Sequence, residues 1–127
     1  MQKAFRALLT GSAAVTALAP ALRIEWGRRT QGAGYPAVQL GLVDGADGLT
    51  LDGPDGWFSG RVQVDCYALE YAEALELAEA VKAELHGHAG DGFQLIQAER
   101  MDDFSESGAA DLPFRFSLDF FTIWEGN

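Results

Sequence analysis

The sequence predicts an α+β fold: a mixed, mostly antiparallel sheet of about five strands with helices packed on one face. Three observations predict it. First, Arg61 to Leu85 changes hydrophobic period without a break. Val62, Val64 and Cys66 alternate with Arg61, Gln63 and Asp65; then Tyr71, Ala74, Leu75, Ala78, Val81 and Leu85 recur at helical spacing, with Glu73, Glu76, Glu79 and Lys82 between them. Second, the last segment puts Phe114, Phe116, Leu118, Phe120 and Trp124 on one face and Arg115, Ser117 and Asp119 on the other. Third, the elements run helix, three strands, helix, two strands. A right-handed strand-helix-strand crossover leaves room for the final strand between the two it connects, antiparallel to both. With 127 residues and 48% hydrophobic content, the chain suits one domain spanning 1–127 with one core.

At the N-terminus, MQKAFRALLTGSAAVTALAP has Lys3 and Arg6, an apolar middle and Ala17-Leu18-Ala19, which meets the outline of a secretory signal. Thr10, Gly11 and Ser12 interrupt that apolar segment, and Pro20 would follow the cut. The reading preferred here is a helix using Phe5, Leu8 and Leu9, a break at Gly11, and a second short helix capped by Ser12 and covering Val15 and Leu18. Leu22 to Trp26 reads as a short strand and Gly27 to Gly34 as a polar loop. After Pro36, Ala37 to Val43 carries Val38, Leu40 and Leu42 on one face against Gln39 and Gly41.

Asp44 to Gly56 contains four Asp-Gly pairs, which favour turns, so it is a long loop or an extended hairpin tip. Its aspartates invite a calcium reading, but position twelve from Asp44 is Asp55 rather than Glu, and the flanking segments are strands. Gly87 stops the long helix after His86, where a left-handed cap needs glycine. His86 and His88 have no third ligand in sequence reach and read as solvent-exposed. Phe93 to Met101 is a strand with Phe93, Leu95 and Gln97 against Gln94, Ile96 and Ala98, and Asp102 to Leu112 a second acidic loop.

Composition narrows the function. A formal net charge of −10 argues against gripping nucleic-acid phosphates, which takes clustered Lys and Arg. Cys66 is the only cysteine, so no internal disulfide forms, and its place on a strand marks it as a small buried apolar side chain. No apolar run approaches the ~20 residues that span a bilayer. There is no nucleophile elbow, phosphate loop, paired zinc motif or nucleotide fingerprint, so neither an enzyme nor a cofactor is expected. Glu99 with Asp102 is a carboxylate pair of the kind expected on any surface so rich in acids.

The polar strand faces carry the remaining signal. Arg61-x-Gln63-x-Asp65 and Arg115-x-Ser117-x-Asp119 have the same order of charges, so an antiparallel pairing with Gln63 opposite Ser117 sets Arg61 against Asp119 and Asp65 against Arg115. Each such pair contributes ~0.2–1 kcal/mol on a solvated face. The functional alternative is that this face lines a subunit interface or a channel.

The N-terminal helix, LDGP at Leu51 to Pro54, RVQVDCYA at Arg61 to Ala68, YAEALELAEAVKAEL at Tyr71 to Leu85 and FRFSLDFFTIW at Phe114 to Trp124 together resemble the tail terminator (tail completion, head-tail joining) family of long-tailed phages and gene transfer agents. The resemblance covers nearly the whole chain. It implies a structural virion protein that assembles with itself into a hexameric ring on the last ring of major tail tube protein. The ring stops tube growth and presents the surface to which the head's connector or stopper protein docks. Double-stranded DNA would pass through the lumen without tight binding, since an acidic lumen repels phosphate. The loops Asp44 to Gly56 and Asp102 to Leu112 are the candidates for axial or intersubunit contacts. With the polar strand faces they give the candidate interface or lumen residues Asp44, Asp47, Asp52, Asp55, Arg61, Asp65, Asp103, Arg115 and Asp119. One departure from the family is the short segment between Leu85 and Phe93, which bears on an edge loop and its neighbour contacts. Two alternatives stay open: a secreted or periplasmic small-ligand-binding domain, and another head-tail adaptor or minor tail subunit.

Overall fold

The computed structural model describes residues 1–27, 34–104 and 113–125. The elements run α1 (Gln2–Thr10), α2 (Ala13–Thr16), a 3-10 turn (Ala21–Arg23), β1 (Ile24–Trp26), β2 (Ala37–Thr50), β3 (Gly53–Ala68), α3 (Tyr71–Leu85), β4 (Phe93–Asp103) and β5 (Phe114–Glu125). The five strands form one sheet in the order β1-β2-β3-β5-β4. Only β1 and β2 are parallel; β5 lies between β3 and β4, antiparallel to both, where the crossover argument puts it.

The N-terminal segment is built into the core. Phe5 and Leu9 on α1 and Val15 on α2 are fully buried, and the Phe5 ring meets Trp26, Phe93 and Phe120 edge-on at 5.9, 6.1 and 6.5 Å. Arg6 donates from Nε to the Ile24 carbonyl at 2.7 Å and from Nη2 to the Ala21 carbonyl at 2.9 Å, which ties the helix to the turn leading into β1. Ser12 caps α2, its hydroxyl accepting the Val15 N–H at 3.3 Å. A removable signal segment would take this packing with it.

The same core takes Val38 and Leu40 from β2, Val62, Val64 and Cys66 from β3, Ile96 from β4 and Phe116, Leu118 and Phe120 from β5. Helix α3 covers these residues with Ala74, Leu77, Ala78, Val81 and Leu85. The buried stripe is therefore offset from the expected one: Leu77 belongs to it, Leu75 is half-buried, and Tyr71 is exposed. Tyr71 is held at the sheet margin, its ring against Phe114 and Phe116 and its hydroxyl donating to Asp103 at 3.0 Å.

Two further expectations are corrected. The β3–β5 register is two residues from the expected one: Gln63 faces Asp119, Asp65 faces Ser117, Arg61 faces Phe121 and Tyr67 faces Arg115. A two-residue slip keeps every side chain on its face, so hydrophobic patterning alone does not choose between the registers. Pro113 supplies the choice. In the expected register it would sit opposite Tyr67 inside the ladder, without an N–H to donate; in the observed one β5 begins after it. The alternation of β4 is broken by a bulge between Phe93 and Leu95, so Phe93 and Ile96 both face the core. Of the two readings of Asp44 to Gly56, the extended hairpin tip is the one observed, because β2 and β3 stay paired out to Thr50 and Gly53.

Candidate functional site

With one face of the sheet covered by helices, the described residues offer three surfaces of interest: the β2–β3 arm, the open sheet face, and the groove between α3 and β4. The arm turns through Leu51 and Asp52. Gly53 takes the positive φ of 120° needed there, Thr50 Oγ1 donates to the Gly53 carbonyl at 2.8 Å, and the Asp52 N–H donates back to Thr50 Oγ1 at 3.3 Å. Further down, the Phe58 ring lies over Gly45 and Gly60 in a gap that a Cβ at either glycine would fill. Asp55 folds its carboxylate over Gly48 and accepts the Trp57 N–H at 2.9 Å. The Asp-Gly pairs thus serve close cross-strand packing as well as turning.

Four candidate aspartates share this arm. Asp44 faces Arg61 across the ladder, Asp47 faces Phe58, Asp52 is in the turn and Asp55 is on β3, all exposed. Between Ala37 and Gly60 there is no Lys, Arg or His. Beside the aspartates stand apolar side chains that the sequence reading did not single out. Leu51 is fully solvent-exposed, Leu49 is 77% exposed, and Val43 and Trp57 are also exposed. Their signal was present as leucines and a tryptophan set among Asp-Gly pairs, where a solvated turn needs none.

The open sheet face collects Arg61, Asp65, Arg115 and Asp119, though not as the expected pairs. Asp65 is nearly buried, and Gln63 Nε2 donates to both of its carboxylate oxygens at 3.1 and 3.2 Å. Burial, and secondly the Asp65 charge, push the neighbouring Cys66 thiol far up, so it stays protonated and inert. Tyr67 donates to Gln39 at 3.4 Å, and Gln39 donates to the Gly27 carbonyl at 2.6 Å, a polar chain that links β3, β2 and the segment after β1. Arg61 pairs with Glu99 at 3.3 Å, and Arg115 lies 4.6 Å over the Phe104 ring. Asp119 faces Gln63 on one side and Arg100 on the other.

Asp103 ends β4 and accepts the Tyr71 hydroxyl; this hydrogen bond, more than desolvation or the carboxylate's charge, raises the Tyr71 phenol above its usual range. The rest of the second acidic loop, from 105 to 112, lies outside the described residues. Two clusters of acids therefore sit far apart along the sheet: the arm, and the Asp103 end.

The third surface is a groove of about 200 Å³ lined by Lys82 of α3, His86 just after it, Ala98 to Met101 of β4, and Leu118. The chain after α3 closes the outer edge of β4 here. Gly87, at φ 81°, donates its N–H to the Ile96 carbonyl at 2.7 Å, and His86 Nδ1 accepts the Ala98 N–H at 2.9 Å. His86 is exposed, as the sequence suggested, although its Nδ1 is engaged; His88 is half-buried and contacts Asp91 at 3.2 Å. Among the described residues no three His, Cys, Asp or Glu side chains converge as metal ligands, and no helix is long and apolar enough to cross a membrane.

Comparison with known proteins gives these surfaces a context. No curated protein sequence matches the chain. A solved structure described as the virion of a native gene transfer agent particle contains a chain that is 26% identical, with a TM-score of 0.70; the alignment covers 99% of this chain and 95% of that one. The family described as tail completion protein gp17 matches residues 3–125. An N-terminal helix packed into a five-stranded sheet, a projecting arm and a match over nearly every residue all agree: the chain belongs to the tail completion protein gp17 family and is a structural protein of phage-type tails.

Proposed function

We propose that copies of this chain form a hexameric ring on the last ring of the major tail tube protein, end tube polymerisation, and present the surface to which the head's connector or stopper protein docks. The family match over residues 3–125 carries this reading. The ring would sit at the head–tail junction of a phage or gene transfer agent particle. Such work requires binding surfaces and no catalytic group. The arm, with its exposed leucines and aspartates, is suited to contacts with neighbours, because apolar side chains held clear of a core gain by being covered. Asp119, Arg115 and the other charges of the open face are candidates for the lumen or the subunit interface. A net charge of −10 suits a channel that lets double-stranded DNA slide past without holding it.

Deleting the gene in a host that makes the particles tests the reading. Filled heads should separate from tails of abnormal and variable length, and restoring the protein should rescue both. Joined particles with tails of normal length in the deletion strain would overturn it. Exchanging Asp52 and Asp55 for Asn should impair assembly while the subunit stays folded, since both side chains are exposed.

A further inference from the structure

The arm and the α3–β4 groove lie on different flanks of the sheet and are complementary in charge and polarity. Strands β3 and β5 separate β2 from β4. Along the strands, Ala98 and Met101 sit level with Val62 and Val64, whereas the arm turns about ten residues further on, roughly 33 Å away at the usual strand rise. The arm of a subunit therefore cannot fill its own groove.

The groove has what the arm lacks. Its floor is apolar, with Ala98, Leu118 and the exposed Met101, and Ala83 lies beside its helical rim. The charged groups of β4 there are already matched, Glu99 to Arg61 and Arg100 to Asp102. Glu79 stands near the rim, but the Lys82 ammonium makes no hydrogen bond or ion pair among the described residues. His86 uses Nδ1 to accept the Ala98 N–H, so its Nε2 carries the proton and has a donor to give to an incoming carboxylate. The arm offers leucines with no cover and four aspartates with no cation between Ala37 and Gly60 except across the ladder at Arg61. The His86 and Gly87 contacts block the β4 edge, so side chains must make the contact rather than an added strand.

We infer that the β2–β3 arm of one subunit docks into the α3–β4 groove of a second copy of this chain, with Leu49 and Leu51 on the apolar floor and the arm's aspartates at Lys82 and His86. The contact uses two different patches, so it is head-to-tail and closes into a ring if its rotation closes. It rests on the ring proposed above and names the surfaces that would build it.

Cysteine crosslinking in assembled particles tests the inference. Cys66 is fully buried and does not compete. Leu51→Cys combined with Ala83→Cys or Met101→Cys, treated with a short bis-maleimide, should give a ladder of covalent oligomers. Leu51→Cys with Ala7→Cys, on the exposed side of α1, should give none. Monomers alone from the groove pairs, in particles with normal tails, would overturn the docking but not the ring. If the cysteine variants fail to support joined particles, a charge exchange decides. Lys82→Glu should lose joining at least tenfold, and Asp52→Lys with Asp55→Lys added should recover most of it; no recovery would overturn the docking. Failure of the ring reading is separate, and is read from the gene deletion alone.

Discussion

Two halves of strand β3 have opposite surroundings. From Val62 to Ala68 the strand is paired with both β2 and β5 and its inward side chains are fully buried under the helices; from Pro54 to Gly56 it is exposed beside β2 alone. Hydrophobic burial holds the first half, whereas glycine packing, a tight turn and ladder hydrogen bonds hold the second. A hairpin without a core is marginal on its own. This one is an extension of strands anchored elsewhere, so the buried half can support an exposed half whose apolar side chains are free to bind.

The comparison breaks most clearly at the N-terminus. Removing residues 1 to 19 deletes Phe5, Leu9, Val15 and Ala19, all fully buried, and should abolish the cooperative unfolding transition. The single change Leu9→Ala should cost about 2–5 kcal/mol, the range for an aliphatic cavity in a packed core. Thermal or denaturant unfolding checks both. A truncated protein with an unchanged transition would show that the segment is not part of the core.

In the arm the expectation inverts. Leu51→Ser removes a side chain that touches no core, so stability should move by no more than about 0.5 kcal/mol. The yield of joined particles should nevertheless fall severalfold. Equal effects on unfolding and assembly would mean that the arm acts through folding and would erase the contrast between the two halves.

The place of β5 between β3 and β4 was legible in the sequence because the crossover permits few arrangements. The α1–Gly11–α2 break was legible because Gly11 and Ser12 have specific local roles. Legibility failed where a choice depends on partners rather than on pattern. The α3 stripe shifted because Tyr71 found Phe114, Phe116 and Asp103 at the margin. The β4 faces shifted because a bulge resets the alternation after Phe93. In the candidate site, the arm's aspartates were visible as Asp-Gly pairs, but strand pairing through them was not distinguishable from a loop. The α3–β4 groove was not visible at all, since its lining comes from segments brought together only by the sheet.

The open face gives the smallest and sharpest test. The expected Arg61–Asp119 pairing fails because Arg61 faces Phe121, and its guanidinium turns instead to Glu99 at 3.3 Å. Both partners are substantially exposed, so the ion pair is screened and the coupling between Arg61→Ala and Glu99→Ala should fall within about 0.2–1 kcal/mol. The cycle between Arg61→Ala and Asp119→Ala should give a coupling below that of the Glu99 cycle, since no direct contact joins them. Denaturant unfolding of the single and double variants at low and high salt measures both cycles, and only the Glu99 coupling should shrink with salt. A larger coupling to Asp119 would instead restore the register with Gln63 opposite Ser117, and with it the reading of this face as a set of matched charge pairs.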